Sequence, residues 1–141
     1  ARIMAASQAG QYNLPRMLRR CDFVACDICR ARFIEAVLST VFLINRKYVP
    51  FYKWAFRAVK QLPLMGMSIA EKLEHLVSLP LMETMPEAVA EPVEGICQEI
   101  ADHLQSEGLL DSNDPWLFAQ GPVIQAHIEN NALRSMPPQL E

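Results

Sequence analysis

From Phe23 to Ile44, apolar residues return every three or four positions, at Phe23, Cys26, Phe33, Val37, Val41 and Ile44, with only Arg30 breaking the stripe. That interval is the helical period, and it predicts one long helix running from Asp22 to about Asn45. Asp22 is placed to cap it, because its carboxylate can accept from the unpaired amides of the first turn. The second half, Ala36 to Ile44, is apolar almost all round and therefore needs neighbours on several sides. This run is nine residues long, far short of the roughly 20 that cross a bilayer. The fold expected is all-α, a bundle of five to seven helices around this long central one.

The rest of the chain supports that class. No stretch alternates apolar and polar residues over a strand's length, and no Asn-Gly or Asp-Gly hairpin signal occurs. Arg2 to Ala9 predicts a short helix stopped near Gly10, and Pro15 predicts a break before a second short helix reaching Arg20. Pro50 marks the start of the next helix, with Phe51, Trp54, Ala55, Ala58 and Leu62 as its buried face and Pro63 as its end. Ser68 to Glu71 and Thr84 to Glu87 both show capping-box spacing. The helix after Thr84 should reach Glu107, with Gly108 as a left-handed stop and Pro92 kinking or splitting it, so that Val93 to Glu107 is its firm part. Asp114 and Pro115 open a last helix, interrupted at Gly121-Pro122, and Pro137-Pro138 closes the ordered region.

The 141 residues suit one helical domain, spanning 1–141. The chain lacks a starting Met and ends in Leu140-Glu141, a pattern that fits a segment excised from a longer protein and carrying a cloning remnant. It is expected to be the C-terminal part of that protein, with a neighbouring domain preceding it. Charge is unevenly spread. Residues 1–70 carry 11 Lys and Arg against 3 Asp and Glu, and residues 71–141 carry 2 against 13, which leaves a net −3. Such halves either attract and pack, or leave the basic half open to an anion; the first reading is preferred. The chain does not open on a basic stretch followed by an apolar one, so no secretory signal is read. With four thiols and no membrane span, the expected compartment is the reducing cytoplasm.

Catalytic motifs are missing. Cys21, Cys26 and Cys29 have a spacing that overlaps an iron–sulfur pattern, but two of them fall inside the long helix and Cys97 is remote. They read as buried thiols, and no metal site is expected. The three histidines fall on separate helices with no zinc spacing. Neither a Gly-Ser dipeptide nor an Asp-x-Asp pair is present, so the chain alone is not expected to transfer nucleotides.

The most informative stretch is Asn45 to Arg57, where Arg46, Lys47, Lys53 and Arg57 are interleaved with Tyr48, Phe51, Tyr52, Trp54 and Phe56 around a helix start. A helix N-terminus attracts anions through its unpaired amides. Tyrosine rings can stack on bases at about 1–3 kcal/mol each. Phe51 and Trp54 read as helix-to-helix glue, while Arg46, Tyr52 and Lys53 are evenly balanced between glue and ligand contact.

Gly10-Gln11-Tyr12-Asn13-Leu14-Pro15-Arg16, then Val41 to Tyr48 and Pro50 to Trp54, resemble a bacterial helical domain of unknown function that follows a polymerase-beta-type nucleotidyltransferase domain. Gly108-Leu109-Leu110 and Ala132 to Pro137 resemble it as well. The resemblance implies a non-catalytic accessory domain beside an N-terminal nucleotidyltransferase domain, with Tyr12, Arg16, Arg46, Tyr48, Tyr52 and Lys53 meeting a substrate or nucleotide. It implies no cofactor in this chain, with Mg and a nucleoside triphosphate belonging to the missing domain. The alternative is a protein-interaction module, docking that domain or pairing as a homodimer, with no ligand. Direct RNA binding is the weaker reading.

Overall fold

The computed structural model describes residues 1–138. Leu140-Glu141, expected above to be a cloning remnant, lies outside the described residues. Eight α-helices appear among them: α1 (Arg2–Ala6), α2 (Leu14–Arg19), α3 (Phe23–Ile44), α4 (Tyr52–Val59), α5 (Gly66–Ser78), α6 (Pro86–Ser106), α7 (Leu117–Ala126) and α8 (Asn131–Arg134). A π-helical segment, Ser7–Asn13, joins α1 to α2. The architecture is the expected all-α bundle, and no strand occurs among the described residues. No helix is long and apolar enough to cross a membrane.

The break expected between Gly10 and Pro15 does not form. Pro15 sits in the first turn of α2, where its missing N–H removes one bond and its ring crowds the carbonyl four residues back. The chain accommodates it by widening into the π-helical turn just before it, so residues 2–19 make one continuous rod. Gly10 is a contact point in that rod and not a stop: it is buried against the Phe33 ring.

The long helix follows its sequence pattern. Asp22 caps α3, its Oδ1 accepting from the Ala25 amide at 3.1 Å. Residues 36–42 are buried in an unbroken run, as the all-round apolar half requires. The N-terminal rod lies along α3 and also packs on α6 and α7. The core therefore gathers Leu14, Phe33, Val37, Val41, Val93, Ile96 and Leu117, each no more than 1% exposed.

Several local expectations are corrected. Neither capping box forms. α5 starts at Gly66, preceded by Met65 in the left-handed region, and Ser68 instead donates to Glu99 Oε2 at 2.8 Å. Thr84 donates back to the Pro80 carbonyl at 2.8 Å. Pro92 and Pro122 lie inside unbroken helices. Asp114 accepts from the Trp116 amide at 2.9 Å, and α7 begins one residue later than that, not at Pro115. Gly108, at φ +72°, is the left-handed stop after α6.

Candidate ligand-binding face

The hand-over from α3 to α4 is tied down by one side chain. Asn45 Oδ1 accepts from the Leu64 amide at 3.0 Å, while its Nδ2 donates to the Leu64 carbonyl at 3.0 Å and the Val41 carbonyl at 2.8 Å. This fixes the loop after α4 against the end of α3. Beyond Asn45, the Arg46 amide donates to the Leu43 carbonyl and the Lys47 amide to the Phe42 carbonyl, both at 2.9 Å. That bond pair is a Schellman close, which places the intervening residue in the left-handed region. Here that residue is Arg46, at φ +55°, where a side chain costs about 1–2 kcal/mol. Nothing in the apolar pattern signalled this strain.

Residues 46–54 then run across the surface. Tyr48 is 96% exposed, Tyr52 75%, Phe51 61% and Trp54 51%. The expectation that Phe51 and Trp54 glue helices together is overturned. α4 begins at Tyr52, two residues after Pro50, and buries Ala55 and Val59, with Leu62 completing the face. The stripe that packs inward is Ala55, Val59 and Leu62, which leaves Trp54 on the outer side and Phe51 before the helix as its N-cap. The Phe51 and Tyr52 rings lean on each other at 4.5 Å and 49°. Lys53 Nζ lies 5.9 Å from the Phe51 ring centre and 5.4 Å from that of Trp54, within reach of cation–π attraction. No side chain caps the α4 N-terminus; the Trp54 amide donates to the Phe51 carbonyl at 2.8 Å, and the Tyr52 and Lys53 amides stay open.

The surface is cationic as well as aromatic. No Asp or Glu occurs between Glu35 and Glu71. Among the described residues, Arg46, Lys47, Lys53 and Arg57 make no ion pair. The expected neutralisation of the two halves is slight: Lys60 meets Glu74 at 2.5 Å and Arg19 meets Glu87 at 3.6 Å. The other pairs, Arg30–Asp27 and Lys72–Glu99, each stay within one half. Of the four cations, Arg46 also lines a cleft of about 460 Å³ with Leu64, His103 and Glu107. The last two were not anticipated, because they approach from the far end of α6.

Tyr12 and Arg16 belong to a different place. Tyr12 sits in the π-helical segment, with the Arg16 guanidinium 4.3 Å over its ring and Trp116 edge-on at 6.5 Å. The adjacent Gln11 donates to Glu94 Oε2 at 2.7 Å and to the Pro115 carbonyl at 2.9 Å, and accepts from the Leu117 amide at 3.3 Å. This cluster fastens the start of α7 to the N-terminal rod. Gly10 marks its level on α3 at Phe33, and Arg46 lies thirteen residues further on, just past the end of α3, roughly 20 Å away at 1.5 Å per residue. The six residues therefore divide into two groups: Tyr12 with Arg16, and Arg46 with Tyr48, Tyr52 and Lys53.

The cysteines do not gather. Cys26 and Cys97 are buried, Cys29 is half-buried and Cys21 is exposed. Burial is the first cause that pushes the Cys26, Cys29 and Cys97 thiols above their ordinary range. Among the described residues no group of three or more His, Cys, Asp or Glu is placed to hold a metal ion.

No curated protein and no solved structure matches the chain. Residues 1–55, which include all six of these side chains, match a family described as a domain of unknown function, DUF4037.

Proposed function

We propose that this chain is a non-catalytic helical accessory domain whose open aromatic and cationic face receives an anionic, base-bearing substrate or nucleotide for an associated nucleotidyltransferase domain. One observation carries the reading. Four large aromatic side chains, Tyr48, Phe51, Tyr52 and Trp54, stand more than half exposed among cations with no carboxylate between them. Leaving such rings in water forgoes the burial that normally stabilises a fold. Rings that stack on a base and ammonium or guanidinium groups that meet its phosphates recover that loss on binding. Arg46, Lys53 and the open amides of α4 supply the positive end, and Tyr48 and Tyr52 the stacking surfaces. Tyr12 and Arg16 act at a distance, by holding α7 on the rod. A nucleoside triphosphate with Mg would belong to the catalytic domain.

Titrating the whole chain with ATP while following tryptophan emission tests this. Saturable quenching is expected, weakened at least tenfold in Lys53→Ala and Tyr52→Ala with an unchanged melting temperature. Absence of saturable binding would overturn the ligand reading. A second reading draws on the openness of the face: Tyr48, Tyr52 and Lys53 are exposed and lie outside the cleft that Arg46 lines. An open face of this kind suits a protein surface, either the catalytic domain or a second copy of the chain. In that case the same substitutions weaken co-purification of the two domains, or the dimer, and leave ATP without effect.

A further inference from the structure

The start of α1, the end of α3, the end of α6 and α7 leave a trough of about 460 Å³, which shares Leu43, Ile44, Leu104 and Leu109 with the cleft beside Arg46. Its walls include Ile3, Leu43, Ile44, Leu104, Leu109 and Ile124. The chain after α7 forms its outer edge through Ile128, Leu133 and Met136. This edge has no core of its own: α8 buries no residue. It is held by Gln125, whose Nε2 donates to the Arg134 and Met136 carbonyls, both at 2.7 Å. Leu43, Leu133 and Met136 remain 58%, 54% and 57% exposed, so the trough shows apolar side chains to water.

Its polar end is one-sided. Among the described residues no carboxylate lines the trough; Arg2 supplies its charged side chain, and the α-amino group of Ala1 lies beside it. Arg2 also lines an adjoining polar cleft of about 280 Å³, with Gln8, Asn13, Arg32 and Glu35. Among the described residues Arg2 makes no ion pair. An apolar channel with a cationic end matches a molecule with an apolar tail and an anionic head, and its size falls in the ordinary range for small-molecule sites.

We propose that this trough binds a single-chain aliphatic anion, with its tail between Leu43, Ile124 and Leu133 and its head at Arg2. The trough adjoins the Arg46 cleft but is lined by none of Arg46, Tyr48, Tyr52 and Lys53, so loss of ATP binding at that face leaves decanoate binding here unchanged. The probes are decanoate and decyltrimethylammonium, which share one tail and differ in charge, each titrated calorimetrically into the whole chain below its micelle concentration. Decanoate is expected to bind at one site and more tightly than the cation. Arg2→Gln should weaken decanoate about fivefold, the loss of one partly exposed charge contact. Leu133→Glu should weaken decanoate and tighten the cation. Both positions are exposed, so unchanged circular dichroism is expected to accompany the altered affinities. No saturable decanoate binding, or equal affinity for both probes that neither substitution changes, would overturn the proposal.

Discussion

Gly10 presents its bare α-carbon to Phe33, so closely that a β-carbon there would stand 2.3 Å from the ring's Cδ2. Phe33 is fully buried on α3, and its ring is rigid and packed on all sides. The contact sets how near the N-terminal rod approaches the long helix. Gly10→Ala should therefore destabilise the fold by about 1–3 kcal/mol, through overpacking. Gly95, in the middle of α6, meets nothing within 4 Å of such a carbon. Gly95→Ala should stabilise by about 0.5–1 kcal/mol, by the helix propensity gained. Urea unfolding of the two variants beside the parent chain checks both signs, and two shifts in the same direction would contradict this account of the contact.

The long helix and its cap were legible because they depend on local chemistry: a carboxylate at the N-cap and a stripe at the helical period. So was Gly108, whose left-handed turn follows an uninterrupted helical run. The prolines misled. Pro15, Pro92 and Pro122 carry a real local cost, but packing of the rod, α6 and α7 outweighs one missing bond each. The capping boxes misled because Ser68 bonds instead to Glu99 on α6, and Thr84 to the Pro80 carbonyl in the turn before it. In the candidate face, the residues were visible in the sequence and their exposure was not. Two apolar stripes compete in this segment, Phe51-Trp54-Ala58 and Ala55-Val59-Leu62, and periodicity over eight residues does not decide which of them packs inward. The separation of Tyr12 and Arg16 from Arg46 is a consequence of tertiary placement alone.

Arg46 closes α3 in a conformation that glycine adopts freely. Arg46→Gly should raise stability by about 0.5–1 kcal/mol, the strain relieved less the chain entropy that glycine adds. The same change removes a guanidinium from the aromatic face, so ATP affinity should fall. Stability and binding moving in opposite directions is the pattern expected where strain is retained for a ligand. Thermal melting and the fluorescence titration measure the two effects separately. A loss of both would place Arg46 among residues that serve the fold alone.

Ser7 lies in the π-helical segment, fully buried, and its hydroxyl has no hydrogen-bond partner. An unpaired buried hydroxyl costs about 1–3 kcal/mol, and removing it leaves nothing else unpaired. Ser7→Ala is expected to raise the urea midpoint, by about 1 kcal/mol in free energy. Ser7→Val should lower it, because the added methyl groups have no room in the rod's packed face. If Ser7→Ala is destabilising, the hydroxyl makes a bond that this arrangement of the rod lacks.

Cys97 sits on α6 with no exposed surface. Burial first, and the nearby Glu94 carboxylate second, push its thiol far above the ordinary value of about 9. The folded chain thus keeps this proton at pH 10, while the unfolded chain releases it. Above pH 9 the unfolded state binds fewer protons, so stability must fall as pH rises. It is whole below about pH 9 and continues to decline until the raised folded value is reached. Between pH 8 and pH 10 the single thiol accounts for a loss of about 1.4 kcal/mol. Cys97→Ala should be less stable at pH 8, because it leaves a small cavity, yet lose less between pH 8 and pH 10 than the parent chain. Cys26 and Cys29 are retained in both proteins, so their effects cancel in the comparison. Urea midpoints at the two pH values supply the measurement, and equal declines in the two proteins would show that the Cys97 thiol does not remain protonated in the folded chain.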